Sequence, residues 1–299
     1  MSGTVNGAVL VLDAAGCIGR AVVAAALEQG RAVIAAAPDR SGLRALKALH
    51  PEADLSLLEA SSADEAKAAA LVRGLRELDR PLAGIVHAGG CREPQRGRVL
   101  EQGSAELRRR FEDEVLPQLA AAQALVPVLA EAGRNGSYVV IGGPGSEQPW
   151  AGYGHRSICA ASNRMLLRVL HDEAHSLSVR VHLLAVETPA RTEENDERAC
   201  AQWPSAQDIA LRALDLLDPA ENQAPIEAVV RYAWPQASAA AARTSRPADR
   251  RAARAGGQAR PAQTVIAAPH DPSPIPNLDD TWTLLKPLLA THSTKGSKP

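Results

Sequence analysis

The sequence has few aromatic residues: phenylalanine, tyrosine and tryptophan together make up 3% of its 299 residues. Proteins that bind single-stranded nucleic acid stack the bases on aromatic side chains, and this composition offers few such side chains. Lysine and arginine (33) nearly balance aspartate and glutamate (34), so the formal net charge is -1. Without a basic excess, we expect neither nucleic acid nor an anionic membrane as a partner.

Cysteine and long apolar runs are also scarce. Cys17, Cys91, Cys159 and Cys200 are widely spaced and form no Cys-x-x-Cys pair. This spacing predicts neither a disulfide framework nor a zinc site, and it fits a reducing compartment. The first 16 residues have no basic start, and their apolar run is too short for a signal peptide or a membrane span. We therefore expect a cytoplasmic protein.

Short apolar runs alternate with longer amphipathic segments along most of the chain. The runs predict strands at residues 8–12, 32–37, 55–58, 82–87, 137–141, 179–185 and 226–232. Near-continuous apolar strands separated by helices are typical of a parallel sheet that is covered on both faces. We therefore predict an α/β fold with a doubly wound, Rossmann-like parallel sheet in three α/β/α layers, with strand order 3-2-1-4-5-6-7.

The composition changes near Pro235. Residues 1–235 are predicted to form a single domain, and residues 236–299 an Ala/Arg/Pro-rich flexible tail with little apolar content. One short apolar segment, residues 278–289, interrupts that tail.

A glycine-containing turn follows the first predicted strand, in the sequence Leu-Asp-Ala-Ala-Gly-Cys-Ile-Gly at residues 12–19. It resembles the nucleotide loop of short-chain dehydrogenases/reductases, whose pattern is Thr-Gly-x-x-x-Gly-x-Gly. Gly19 matches the last glycine of that pattern. Asp13 and Cys17 stand where the first two are expected, and Leu12 replaces the threonine.

In that family the glycines let the backbone approach the cofactor pyrophosphate at a helix N-terminus. A carboxylate at Asp13 places negative charge near this anion, and Cys17 adds a Cβ atom at a point of close approach. Gly16 offers partial compensation through a shifted turn. The alternative is an ordinary connection from strand to helix that binds nothing. The resemblance as a whole implies these cofactor contacts: Gly16, Ile18, Gly19, Arg40, Glu59, Ala88 and Gly89.

The ends of the second, third and fourth strands bear on cofactor choice. No acidic residue stands at the tip of the second strand, and Arg40 can face a 2′-phosphate, which favours NADP over NAD. Because of Asp13 and Cys17, we expect binding of NADP to be weak or absent. Glu59 stands where the family usually has an aspartate near the adenine. For each of these two residues the alternative is a solvated loop charge. His87-Ala88-Gly89-Gly90 resembles the family's Asn-Asn-Ala-Gly motif, so we interpret His87 as a support of the fold rather than an acid–base group.

Family members transfer hydride with a Ser, a Tyr, a Lys and an Asn. The tyrosine is the general acid, the lysine lowers its pKa and holds the nicotinamide ribose, and the serine polarises the carbonyl. Alignment from residues 136–143 upstream and 179–185 downstream agrees without a gap. It assigns Gly143 to the serine position, Arg156 to the tyrosine position and Ala160 to the lysine position, with Val115 at or near the asparagine position. The resemblance thus predicts that standard catalysis is absent.

Ser146, Tyr153 and His155 cluster, with Arg156, around the expected cleft. They offer an alternative acid–base group in a rearranged site. The competing interpretation is that this loop is polar because it is exposed.

His171 and His175 are four residues apart and resemble a zincin helix, but Asp172 follows the first histidine where glutamate is required. We therefore predict no metal site and interpret the pair as a solvated helix end. Cys17, beside a helix N-terminus, is either a reactive thiol or a small buried residue.

Two predicted helices, residues 105–132 and 157–177, correspond to the pair with which family members contact another subunit. The second carries an apolar stripe of Ile158, Ala161, Met165 and Val169, about half of which we expect to face the chain's own sheet. The predicted function is that of a binding or partner subunit without standard catalysis, in a homo-oligomer or with an active homologue. The alternative is an NADP-dependent carbonyl or alcohol oxidoreductase with a rearranged active site.

Overall fold

The apolar runs of the sequence form the strands of one sheet. The computed structural model describes residues 7–89, 96–133, 135–218 and 227–232. The strands, named in chain order, are β1 (Ala8–Leu12), β2 (Val33–Ala37), β3 (Leu55–Glu59), β4 (Leu82–His87), β5 (Ser137–Gly142), β6 (Arg180–Ala185) and β7 (Val229–Arg231). They pair in the order β3-β2-β1-β4-β5-β6-β7. Every pairing is parallel, which confirms the predicted doubly wound sheet.

Seven helices connect and cover these strands within the described residues. They are α1 (Cys17–Glu28), α2 (Arg40–Leu49), α3 (Glu65–Glu77), α4 (Ser104–Glu114), α5 (Leu116–Glu131), α6 (Gly154–Ala174) and α7 (Ala206–Asp215). Local chemistry sets several of their starts. The side chains of Asp39, Asp64 and Ser205 accept hydrogen bonds from the first-turn backbone N–H groups of α2, α3 and α7.

Alternate residues of each strand face opposite layers of helices, as the two-residue period of a strand requires. On one face, Val9 and Val11 of β1 pack with α1, α2 and α7. On the other face, Ala8 and Leu10 pack with α3, α5 and α6. The result is the predicted three-layer α/β/α arrangement. The carboxyl ends of the strands form one edge of the sheet, where the loops that bear ligand sites in such folds begin.

The single helix expected over residues 105–132 is wrong, because the chain breaks it into α4 and α5 at Val115. Pro117, in the first turn of α5, has no backbone N–H, so one hydrogen bond of a continuous helix would be missing at this point. Asn163 of α6 donates a hydrogen bond from Nδ2 to the carbonyl oxygen of Glu114 at 2.9 Å. A side chain from the neighbouring helix thereby satisfies a carbonyl group at the break.

The chain divides into a unit of residues 1–239 and a unit of residues 240–299. The predicted tail and its apolar segment at residues 278–289 lie outside the described residues. Within the described ranges, no helix is both long enough and apolar enough to cross a membrane.

Candidate functional site

The turn after β1 owes its shape to Asp13 and Gly19. Asp13 adopts a left-handed backbone conformation (φ 56°), which aspartate tolerates better than most residues. Its carbonyl oxygen accepts a hydrogen bond from the N–H of Gly16, the residue that precedes α1, at 3.0 Å. A Cβ atom on Gly19 would lie 2.2 Å from that same oxygen. Gly19 is therefore required by the turn itself, while Ile18 beside it is buried in the core.

The Asp13 carboxylate contacts a buried histidine side chain. Its Oδ2 lies 3.2 Å from Nε2 of His87, and Nδ1 of His87 lies 3.2 Å from the hydroxyl of Tyr138. A carboxylate only accepts, so Nε2 carries the hydrogen and the Tyr138 hydroxyl donates to Nδ1. Burial, together with the negative charge of Asp13, raises the pKa of Tyr138, which keeps its proton.

This Asp13–His87–Tyr138 chain joins β1, β4 and β5, and it agrees with the interpretation of His87 as a support of the fold. His87 is 3% exposed, too buried to act on a ligand directly. The neighbouring Ala88 donates its N–H to the carbonyl of Leu12 at 3.2 Å, and Gly89 has a φ of 72°. The last glycine of the motif, Gly90, lies outside the described residues.

Arg40 and Glu59, interpreted separately from the sequence, form an ion pair with each other at 3.5 Å. Both side chains are more than half exposed, so the pair is weak. Neither residue is simply a lone solvated charge, because the end of β3 lies next to the start of α2. A 2′-phosphate at Arg40 would have to compete with this carboxylate.

The residues aligned with the catalytic positions lie on elements that contact one another: β5, α6 and the junction of α4 and α5. Gly143 follows β5, Arg156 is in the first turn of α6, Ala160 is one turn further, and Val115 is at the helix break. A Cβ atom on Gly143 would lie 3.3 Å from Nη2 of Arg156. The Arg156 guanidinium also lies 6.0 Å from the centre of the Trp150 ring. An arginine side chain thus occupies the space beside Gly143.

Ser146, Tyr153 and His155 each contact something different. Ser146 donates from Oγ to Glu187 at 2.5 Å. The Tyr153 hydroxyl accepts from Nε of Arg96 at 3.1 Å, and its ring stacks on Trp150. His155 is 3% exposed, and its Nδ1 has no hydrogen-bond partner among the described residues. No hydrogen bond given for the described residues joins the three side chains to one another, and the rearranged cluster stays a prediction.

Two carboxylates that the sequence did not single out connect the loops at this edge. Glu187, just after β6, is brought to Ser146 across 41 residues. Glu147 binds the Arg231 guanidinium through both of its oxygens, and Arg164 lies 3.9 Å from it. The hydrogen bond from Arg231 lowers the pKa of Glu147. Neither pairing has a signal in the sequence beyond a charged residue at a strand end.

The loop after β6 also approaches the glycine-containing turn. Nη2 of Arg20, in α1, lies 3.5 Å from Glu193 and 3.8 Å from Glu194. Within that loop, the Asn195 side chain accepts a hydrogen bond from the N–H of Thr192 and donates one to the carbonyl oxygen of Ala190. Two more carboxylates therefore lie close to the helix terminus where a pyrophosphate would sit.

The two histidines at the carboxyl end of α6 lie apart from this edge of the sheet. Nδ1 of His171 lies 2.7 Å from the carbonyl oxygen of Val181, so this imidazole supports β6, and His175 begins a 3-10 turn. The described residues contain no cluster of three potential metal ligands.

The expectation of no disulfide is wrong at Cys17, which is disulfide-bonded and is therefore not a reactive thiol. Spacing along a sequence does not show which sulfur atoms meet in space. Cys159 and Cys200 are free, and burial raises the pKa of Cys159 to about 11. Cys91 lies outside the described residues.

Comparisons with solved structures recover this architecture. A short chain oxidoreductase from Pseudomonas aeruginosa PAO1 with an atypical catalytic center matches with a TM-score of 0.65 and 18% identity, over 75% of this chain and 95% of that chain. That protein has also been solved with NADPH bound. A short-chain type dehydrogenase/reductase from Mycobacterium ulcerans matches with a TM-score of 0.65 and 19% identity, over 76% of this chain and 87% of that chain. At such identities the likeness shows the fold alone.

No curated protein sequence matches the chain significantly. A family model described as enoyl-(acyl carrier protein) reductase matches residues 14–222, which is more than half of the chain and includes β2 to β6. The glycine-containing turn, the sheet order and this match lead to one conclusion: the chain belongs to the short-chain dehydrogenase/reductase family.

Proposed function

We propose that this protein binds a small-molecule ligand in the cleft at the carboxyl ends of β5 and β6, as a subunit that does not perform the family's tyrosine-dependent hydride transfer. The observation that carries the proposal is the Arg156 guanidinium beside Gly143. These two residues align with the family's tyrosine and serine.

The chemistry of the side chains supports this proposal. An arginine stays protonated at any physiological pH, so Arg156 cannot act as the acid that gives a proton to a carbonyl oxygen. Gly143 has no hydroxyl group, and Ala160 has no cation to hold a nicotinamide ribose. General acid catalysis contributes roughly 10²–10⁴-fold to a rate, and that contribution is missing here.

The resemblance favours NADP over NAD as the dinucleotide. We expect this protein to bind NADP weakly or not at all. Asp13 places a carboxylate near the pyrophosphate position, and Glu193 and Glu194 lie there as partners of the Arg20 guanidinium. Glu59 competes for Arg40, the residue that would face the 2′-phosphate.

Turnover of ordinary ketones and alcohols is expected to stay near background. A panel of carbonyl and alcohol substrates, followed by NAD(P)H absorbance, measures this. The control is Tyr153→Phe, which removes the tyrosine hydroxyl at the start of α6 and is expected to change nothing. Robust turnover that disappears in Tyr153→Phe would contradict the proposal.

A second candidate is an NADP-dependent carbonyl or alcohol oxidoreductase with a rearranged site. The 2.5 Å hydrogen bond between Ser146 and Glu187 favours it, because it places a carboxylate base next to a hydroxyl group in the cleft. This candidate predicts turnover that survives Tyr153→Phe and is lost in both Ser146→Ala and Glu187→Gln.

We further propose that α6 forms an interface with a second copy of the chain, or with an active homologue in its place. The expectation that half of its apolar stripe faces the sheet is wrong: Ile158, Met165 and Val169 are 37%, 57% and 44% exposed, and Ala161 is exposed as well. Leu116, at the start of the adjacent α5, is 50% exposed. These side chains give an isologous helix contact its apolar centre.

Met165→Glu is expected to convert a dimer into a monomer, because it places a charge in the middle of that contact. Light scattering after size-exclusion chromatography at micromolar concentration measures the mass. Leu211→Glu is the matched control, since Leu211 is a similarly exposed apolar residue on α7, on the other face of the sheet. A wild-type protein that is strictly monomeric would rule out self-association. The proposed interface would then require an active homologue that copurifies with this protein from its native source and is identified by mass spectrometry.

A further inference from the structure

A groove of about 860 Å³ lies at the edge of the sheet, between β7 and the helices α6 and α7. β7 is the last strand in the pairing order, and β6 is the only strand that pairs with it within the described residues. The groove is lined by Val229 and Val230 of β7, by Leu216 just after α7, and by residues in the second half of α6. It therefore contains a strand edge that no described strand covers.

The backbone of β7 presents hydrogen-bonding groups on the side away from β6. The carbonyl oxygen of Ala228 accepts a hydrogen bond from the N–H of Leu183 in β6 at 2.8 Å. Because backbone groups alternate between the two edges of a strand, the N–H and C=O groups of Val229 and Arg231 point to the outer edge. A further strand can hydrogen-bond to these groups.

The groove is lined by more positive than negative side chains: Arg164, Arg168, Arg212 and Arg231 against Asp172 and Glu227. Two of these arginines pair with carboxylates outside the lining. Arg231 forms hydrogen bonds with Glu147, and Arg212 lies 3.8 Å from Asp215. The other two arginines belong to α6.

The two α6 arginines have unused N–H donors. Nη1 of Arg164 is buried without a hydrogen-bond partner among the described residues, and it lies 3.9 Å from Glu147, which is bonded to Arg231. Arg168 is exposed and forms no ion pair with a described residue. Because Arg164 and Arg168 are four residues apart, their side chains leave the same side of α6. They form a row of two cations that an acidic ligand can satisfy.

An extended chain matches the spacing of this row. Residues four apart on a helix are about 6 Å apart along its axis, and alternate residues of a strand are about 6.6 Å apart. Acidic side chains at positions i and i+2 of an added strand can thus each reach one arginine. The residues between them turn to the other face of the sheet, where Val230 and Leu216 pack with α7. Asp172 follows Arg168 by one turn of α6 and disfavours a third acidic residue.

We propose that β7 and this groove bind an extended, acidic peptide segment of a partner protein, which adds a strand to the sheet and pairs its acidic side chains with Arg164 and Arg168. Main-chain hydrogen bonds along the edge supply affinity, and the two arginines supply selectivity. A second copy of the chain across the same edge would bring the same arginines towards each other, and like charges oppose that contact. The inference goes beyond the proposed function, which concerns the cleft.

Binding of three synthetic peptides to the full chain, followed by NMR of the isotope-labelled protein, tests this inference. The first peptide is acetyl-Val-Glu-Val-Glu-Val-Ser-amide, and the second has glutamine in place of each glutamate. The third keeps the glutamates but has esters in place of its two central amides, so that each edge of the peptide loses a donor. We expect the first to bind about fivefold more tightly than either of the others, the effect of two partly exposed ion pairs or of one main-chain hydrogen bond.

Arg168→Gln is expected to reduce the preference for glutamate over glutamine to about twofold, since one of the two ion pairs is lost. Arg168→Glu, which adds a repelling charge, is expected to abolish that preference. Arg73→Gln is the matched control, because Arg73 is an exposed arginine on α3, which does not line the groove. Thermal unfolding of each variant checks that it is folded.

Amide hydrogen exchange locates the bound peptide without any substitution. The N–H of Val229 is expected to exchange about tenfold more slowly when the glutamate peptide is bound, whereas that of Val230, which faces β6, should change little. Equal binding of the glutamate peptide and either of the others, or unchanged exchange at Val229, would overturn the inference. A wild-type oligomer that becomes monomeric in Val229→Lys and binds no peptide would overturn it as well, because a second copy would then occupy the edge.

Discussion

Replacing Gly19 by alanine is expected to lower the free energy of unfolding by about 3 kcal/mol, because overpacking against a fixed backbone is not relieved by a side-chain rotation. The new Cβ would lie 2.2 Å from the carbonyl oxygen of Asp13 and 2.8 Å from the Cα of Ala14. Both are backbone atoms of the turn itself. Urea unfolding measures the change, and a domain of this size should lose roughly 6–12 °C of melting temperature.

Gly103→Ala is the control for Gly19→Ala. A Cβ atom on Gly103 meets nothing within 4 Å, and its φ of -70° suits alanine. The change at this N-cap position should cost less than about 1 kcal/mol. Similar losses in both variants would mean that the turn after β1 relaxes easily. A much larger loss of stability in Gly19→Ala than in Gly103→Ala would mean that the backbone of the turn requires glycine at position 19. The presence of Gly19 then does not by itself indicate a bound dinucleotide.

Asp13→Asn is expected to tighten NADPH binding about tenfold, an effect of order a kcal/mol for removing one carboxylate near a pyrophosphate at a partly exposed site. The asparagine oxygen can still accept the hydrogen bond from Nε2 of His87, so the link to Tyr138 is retained. Fluorescence titration of NADPH into both proteins measures the affinities. The gain should shrink as salt is raised, because the Asp13 side chain is 38% exposed.

Two further variants separate charge from conformation. Asp13→Gly removes the charge and also suits the left-handed backbone (φ 56°). If NADPH affinity rises in Asp13→Gly and not in Asp13→Asn, the backbone conformation and not the charge causes the effect. Asp79→Asn is the matched control, because Asp79 is another exposed aspartate with positive φ (47°), located after α3 and away from the cleft. NADP bound tightly to the wild-type protein as purified would contradict the electrostatic argument.

The break between α4 and α5, the ion pairs and the position of the Arg156 side chain beside Gly143 could not be predicted from the sequence. Pro117 is visible in the sequence, yet the long apolar period around it favoured one helix. The side chain that hydrogen-bonds the carbonyl oxygen of Glu114 at the break is that of Asn163, which belongs to a different helix. Arg40 and Glu59 were interpreted separately because nothing local indicates that the end of β3 meets the start of α2.

The sequence by itself determined the strands, their order and the residue types at the family's catalytic positions. Each of these depends on patterns within short windows: apolar runs, helix caps, and glycine at a tight turn. Only the tertiary structure decided which side chains meet. His87 reaches Tyr138 across 51 residues and Ser146 reaches Glu187 across 41. Such contacts depend on strand register and on how helices pack across the sheet, because residues distant in the chain become neighbours only when parallel strands bring their carboxyl ends to one edge.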